Sequence, residues 1–138
     1  MGSNEASEKI LKESHTIAVL GLSNNPERPS YRVASYLQSQ GYKIVPVNPT
    51  IAEALGEKSY ADLAAIPGPV DVVDVFRKSE DVPPIVEAAM AKGAKAVWLQ
   101  EGVVNEAAAT RARAAGLLVV MDRCMFKEHS RLHREGRL

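Results

Sequence analysis

Five short runs of aliphatic and β-branched residues recur along the chain, at residues 16–20, 43–47, 70–76, 96–99 and 117–121. They lack the strict apolar-polar alternation of a strand with one wet face. Glycine, proline or asparagine stops most of them, and stretches of helical period fill most of the gaps between them. A strand that is apolar on both sides has to be covered on both sides. The pattern therefore predicts a parallel sheet with helices on each face.

The helical stretches follow from the same reading. Ala6, Ile10 and Leu11 share one face of a helix over 4–14, and Val33, Ala34, Tyr36 and Leu37 form the inner face of one over 30–40, ended by Gly41. A helix over 79–92 carries Pro83 and Pro84 in its first turn, where their missing N–H groups cost nothing, and Gly93 closes it. Asn105 caps an alanine-rich helix that Gly116 ends, and residues 122–138 form a short helix and a frayed end. Residues 48–69 are less regular, with one or two helical turns near 60–63. The expected architecture is an α/β, Rossmann-like, doubly wound sheet of five parallel strands in the order 3-2-1-4-5, as a single domain over 1–138. Ligands of such sheets sit beyond the carboxyl ends of the strands.

Composition narrows the function. Lys plus Arg equals Asp plus Glu at 17 each, so no general electrostatic attraction to nucleic acid or a membrane surface is expected. No apolar run approaches the roughly 20 residues of a membrane span, and the amino terminus has no secretory pattern. The single Cys124 makes no internal disulfide, no Cys/His cluster has zinc spacing, and a reducing cytoplasm fits.

The loop after the first strand carries the chemistry. Gly21 opens a polar segment, Leu-Ser-Asn-Asn-Pro-Glu-Arg-Pro, that ends at Ser30, expected as the cap of the next helix. Strand, loop and helix start together present unpaired amides and the positive helix end to an anion, which makes phosphate the first ligand class. A dinucleotide fingerprint would need three glycines here, yet of Gly21, Leu22, Ser23, Asn24, Asn25 and Pro26 only the first is glycine. The second strand ends in Val47, Asn48 and Pro49, with no acid to hold a ribose diol. Arg28 adds a cation between two prolines. A phosphorylated ribose accounts for both features, since a carboxylate would repel it. Coenzyme A and NADP are such ligands.

Residues 21–31, 41–49, 72–77 and 98–103, with Asp122-Arg-Cys-Met, together resemble the small single-domain coenzyme A (CoA)-binding proteins, similar to the N-terminal domain of the succinyl-CoA synthetase alpha subunit. The likeness runs from about residue 10 to 132. It implies that Gly21, Ser23, Asn24, Asn25, Pro26, Ser30 and Tyr31 surround the CoA phosphates. It further implies that Val47, Asn48 and Pro49 border the adenosine, that Phe76 and Arg77 flank the pantetheine, and that Leu99, Gln100 and Glu101 match a further CoA contact. The synthetase's basic residue after the second strand falls near Ile51 here, which leaves Arg28 or Lys58 as substitutes. The synthetase's phosphorylated histidine has no counterpart in these blocks, so no catalytic residue is assigned.

The reading is a stand-alone module for CoA or an acyl-CoA, with a partner enzyme subunit as its candidate protein partner. A subunit of an enzyme using NADP or CoA, and an interaction domain that binds nothing, are the alternatives. Arg77 has Asp74 and Glu101 as candidate ion-pair partners, and Asp74 reads as a hydrogen-bonded structural group inside an apolar strand. Cys124, beside Arg123 near a helix start, is a candidate for a mixed disulfide with the CoA thiol under oxidation.

Overall fold

In the computed structural model, which describes residues 2–138, all five apolar runs are strands of one parallel sheet. In chain order the elements are α1 (Ser3–Glu13), β1 (Thr16–Leu20), α2 (Pro29–Ser39), β2 (Lys43–Val47), a two-stranded hairpin of β3 (Glu53–Ala54) and β4 (Glu57–Lys58), β5 (Val72–Val75), α3 (Val82–Lys92), β6 (Ala96–Leu99), α4 (Glu106–Ala114), β7 (Leu118–Val120) and α5 (Met125–Arg134). Successive strand residues point to opposite faces, and both sets are buried. Ile17, Val19, Ile44, Val72, Trp98 and Val120 join side chains of α1, α2 and α5. Ala18, Leu20, Val45, Val73, Val75, Val97 and Val119 join those of α3 and α4. This two-sided burial is what the unbroken apolar runs require.

The order of the sheet is β2-β1-β5-β6-β7. Counting only these five strands, it reads 2-1-3-4-5, which corrects the expected 3-2-1-4-5: the third strand pairs with β1 and does not lie outside β2. Residues 48–71, which would have to supply a crossover helix, instead form the hairpin and a short 3-10 turn at Leu63–Ala65. Tyr60 then closes the outer edge of β2, donating its N–H to the Pro46 carbonyl at 3.0 Å and accepting from the Asn48 N–H at 2.9 Å. Pro46 faces that edge, where its missing N–H deprives no neighbouring strand of a ladder bond.

The order decides where the crevice opens. The chain leaves β1 towards α2 on one face and leaves β5 towards α3 on the other, so the connections diverge between β1 and β5. In the expected order they would have parted between β1 and β6.

Two element boundaries also differ. The second helix starts at Pro29 with Arg28 at the N-cap, two residues before the cap expected at Ser30. Proline suits the first helical position, and the residue before it is held extended, which Arg28 is at φ −79 and ψ 144. The carboxyl-terminal segment holds the expected short helix, of ten residues, but the end that follows it is not loose. It is tied to α1 by an Arg137–Glu8 ion pair at 2.6 Å.

Candidate functional site

Four strand-end loops surround one open cleft of about 780 Å3 at the carboxyl edge of the sheet. After β1 come Gly21, Ser23, Arg28 and Ser30; after β5 come Phe76, Arg77, Lys78 and Asp81; after β6 come Gln100, Glu101 and Val103; after β7 comes Cys124. The β1 loop passes over the end of β5 so closely that a Cβ on Gly21 would lie 2.2 Å from the Phe76 carbonyl oxygen and 3.4 Å from Arg77 Nε. Glycine is required there on two counts, since its φ is also +85.

The loop is held by its own hydrogen bonds. Ser30 Oγ accepts from the Ser23 N–H at 3.0 Å, Ser23 Oγ from the Asn25 N–H at 3.0 Å, and Asn25 Oδ1 from the Glu27 N–H at 3.0 Å. Ser30 thus braces the loop and does not cap its helix. Arg28 supplies no side-chain cap either, and the first helical amide with a backbone acceptor is that of Arg32. The N–H groups of Ser30 and Tyr31 are left without an acceptor among the described residues, at the positive end of α2.

Three cations line the cleft: Arg28, Arg77 and Lys78. Among the described residues none of them forms an ion pair. The two partners expected for Arg77 are engaged elsewhere, Glu101 with Lys127 at 3.1 Å and Asp74 with Gln100 at 2.6 Å. Arg77 and Asp81 also form the wall of a second, apolar pocket of about 300 Å3, lined by Leu20, Val47, Leu63 and Ile85 on the other side.

The remaining expected site residues lie elsewhere. Asn24, Asn25 and Pro26 are exposed on the outside of the loop. Asn48 anchors the turn after β2, donating to the Leu22 carbonyl at 3.1 Å and accepting from Thr50 at 2.7 and 2.9 Å. Pro49 lines neither pocket, Tyr31 borders the cleft only through its N–H at the start of α2, and Leu99 is a core side chain. Lys58 belongs to a third cavity with His15 and Lys43, at the opposite end of the sheet, which leaves Arg28 as the candidate substitute that lines the cleft. Lys78, Asp81 and Val103 were not singled out from sequence. Lys78 directly follows Arg77 and Asp81 comes four residues after it, and the strand order that brings their loop against Gly21 was the missing signal.

Beneath the cleft, Asp74 is fully buried on β5 between Val19 of β1 and Trp98 of β6. Gln100 Nε2 donates to its Oδ1, while Oδ2 has no partner. Burial pushes this carboxyl up to about 7, against the opposing pull of the Gln100 and Val75 hydrogen bonds. Gln100 also accepts from the Met125 N–H at 3.4 Å, at the start of α5, with Cys124 at the N-cap. No cluster of three or more His, Cys, Asp or Glu suited to a metal ion occurs among the described residues, and no helix there is long and apolar enough to cross a membrane.

Residues 15–130 match the sequence profile of a CoA binding domain. The chain is 45% identical over 123 residues to the uncharacterized protein YneT of Bacillus subtilis (strain 168), covering 89% of this chain and 91% of that protein. It is similar in structure to a hypothetical protein from Pyrococcus horikoshii OT3, with a TM-score of 0.91 and 42% identity, over 96% of this chain and 93% of the other. The alpha subunit of the ADP-forming acetate–CoA ligase II of Pyrococcus furiosus is 37% identical over 82 residues, which is 59% of this chain but only 18% of that subunit.

Proposed function

The chain belongs to the CoA binding domain family, and on that premise we propose that it holds CoA or an acyl-CoA at the carboxyl edge of the sheet, as a binding module without catalytic residues of its own. The observation that carries this reading is the group of Arg28, Arg77 and Lys78 around one cleft without carboxylate partners, next to the uncapped amides of α2. Several unpaired cations at one site are stabilised together by a ligand with several phosphate charges.

The shape of the site suggests how such a ligand lies. The apolar pocket beside Val47 and Leu63 suits the adenine ring, and the diphosphate lies against Ser30 and Tyr31. The pantetheine then passes Phe76 and Val103 towards Gln100, Glu101 and Cys124. Arg77, which borders both pockets, is assigned to the junction of nucleotide and pantetheine. Arg28, carried at the helix N-cap, is assigned to the ribose phosphate.

Calorimetric titration with CoA, dephospho-CoA, NAD and NADP tests the reading. CoA is expected to bind most tightly, with dephospho-CoA weaker. A preference for NADP would favour an enzyme subunit, and no binding of any of the four would leave an interaction domain. Arg28→Ala should weaken CoA more than dephospho-CoA, and equal losses would remove Arg28 from the ribose phosphate. Arg77→Ala should weaken both ligands alike. A lost charge-assisted hydrogen bond of about 1.5–3 kcal/mol corresponds to roughly ten- to a hundredfold in Kd.

A further inference from the structure

Asp74 has no part in the binding scheme above, yet it is an acid enclosed in the core directly below it. Val19 and Trp98 flank it in the sheet, and neither titrates. The ionisable groups nearest the cleft on the surrounding elements are Arg28 at the N-cap of α2 and Tyr36 on that helix, Arg77, Lys78 and Asp81 after β5, Glu101 after β6, and Cys124 at the N-cap of α5 with His129 on it. None of them hydrogen-bonds to Asp74, whose one side-chain partner is the neutral amide of Gln100.

Gln100 connects this carboxyl to the site. It is 3% exposed, lines the cleft, and spans from Asp74 Oδ1 to the Met125 N–H, which fixes its amide with nitrogen towards the acid and oxygen towards α5. The charge on Asp74 is therefore balanced by no adjacent cation. Of the charged groups on the cleft rim above it, Arg28, Arg77 and Lys78 favour the ionised form while Asp81 and Glu101 oppose it, and Glu101 is already paired with Lys127.

We propose that Asp74 is a proton-binding site coupled to occupancy of the cleft, so that a polyanionic ligand and a proton on Asp74 bind cooperatively. The proposal rests on the reading of the cleft as a CoA site. Phosphates in the cleft neutralise its cations, and the pantetheine displaces water from above Gln100. Both changes disfavour the carboxylate, so they act in the same direction. By linkage, protonation of Asp74 strengthens ligand binding to the same extent that the ligand strengthens protonation. Burial already holds the group near neutrality, so the coupling operates in a readily accessible pH range.

The test is calorimetry of CoA and dephospho-CoA with the wild-type protein and Asp74→Asn, at pH 6 to 8.5, in buffers of low and high ionisation enthalpy. Dephospho-CoA lacks the phosphate monoester, whose own titration would otherwise contribute. Wild type should take up a fraction of a proton that Asp74→Asn does not. Its affinity should also fall with rising pH relative to the variant, by up to about tenfold per pH unit. Equal proton exchange in both proteins overturns this inference alone, whereas no CoA binding by wild type overturns the binding reading and this inference with it. Should the variant fail to fold, carbon-13 NMR of the Asp74 carboxyl in wild type decides the matter: its midpoint should move up on adding CoA, and an unchanged midpoint overturns the coupling.

Discussion

Gly21→Ala is expected to destabilise the fold by about 3–4 kcal/mol, as a fall in the urea midpoint with little change in slope. Two effects add. An L-residue at φ +85 pays about 1–2 kcal/mol for its left-handed conformation. The new methyl would also stand 2.2 Å from the Phe76 carbonyl oxygen, which belongs to backbone and has no rotamer to escape into. The ends of β1 and β5 must then separate at the crevice. Gly116→Ala is the control, because Gly116 has φ +91 with nothing within 4 Å of the position a Cβ would take. It should lose only the conformational part. If the two variants lost equal stability, the close approach at Gly21 would carry no energetic weight.

The second large effect is the dependence of stability on pH. Asp74 has its folded value raised from 3.8 to about 7, because burial disfavours its charge. Between those values the unfolded chain has given up the proton and the folded chain still holds it. The unfolded state then binds fewer protons, and stability falls as pH rises. The contribution is fully present below about pH 4, declines through the window up to about 7, and is constant above it. The span corresponds to a loss on the order of 4 kcal/mol.

Other groups titrate with the opposite sign. Burial, with the charge of His133 as the smaller cause, lowers His129, which makes stability rise with pH near its own transition. Asp71, held down by the amides of Thr16 and His15 and by Lys95 against the opposing effect of burial, acts at lower pH. The informative quantity is therefore the difference between Asp74→Asn and wild type. Asparagine keeps the acceptor for Gln100 and cannot ionise. The variant should gain on wild type from about pH 4 to about 7 in urea denaturation and level off above that, and a difference that stays level across the whole range would show that Asp74 ionises without penalty.

Much of the architecture was legible because it is local. Two-sided burial leaves its trace in consecutive residues, so Ile17, Ala18, Val19 and Leu20 already announce a strand covered on both faces. Asn105 announces its cap, its side chain accepting from the Ala108 N–H at 3.0 Å, and Gly93 announces a left-handed helix end at φ +80. Part of the site was legible for the same reason. Gly21, Ser23, Arg28 and Ser30 fall within ten residues, and Arg77 and Gln100 each follow a recognisable strand end. Pro46 was an overlooked sign, since a proline inside an apolar run marks an edge strand and so places β2 at the margin of the sheet.

The sequence by itself determined a parallel, doubly covered sheet and a strand-end loop suited to an anion, because burial and turn chemistry act between near neighbours and are written in their spacing. The tertiary structure decided which strand lies beside β1, and with it that Gly21 faces Phe76 and Arg77. That choice depends on Tyr60 occupying the free edge of β2, through hydrogen bonds made by backbone groups that every residue type shares. It also decided that the side-chain hydrogen-bond partner of Asp74 is Gln100, 26 residues away, which no local pattern of side chains could specify.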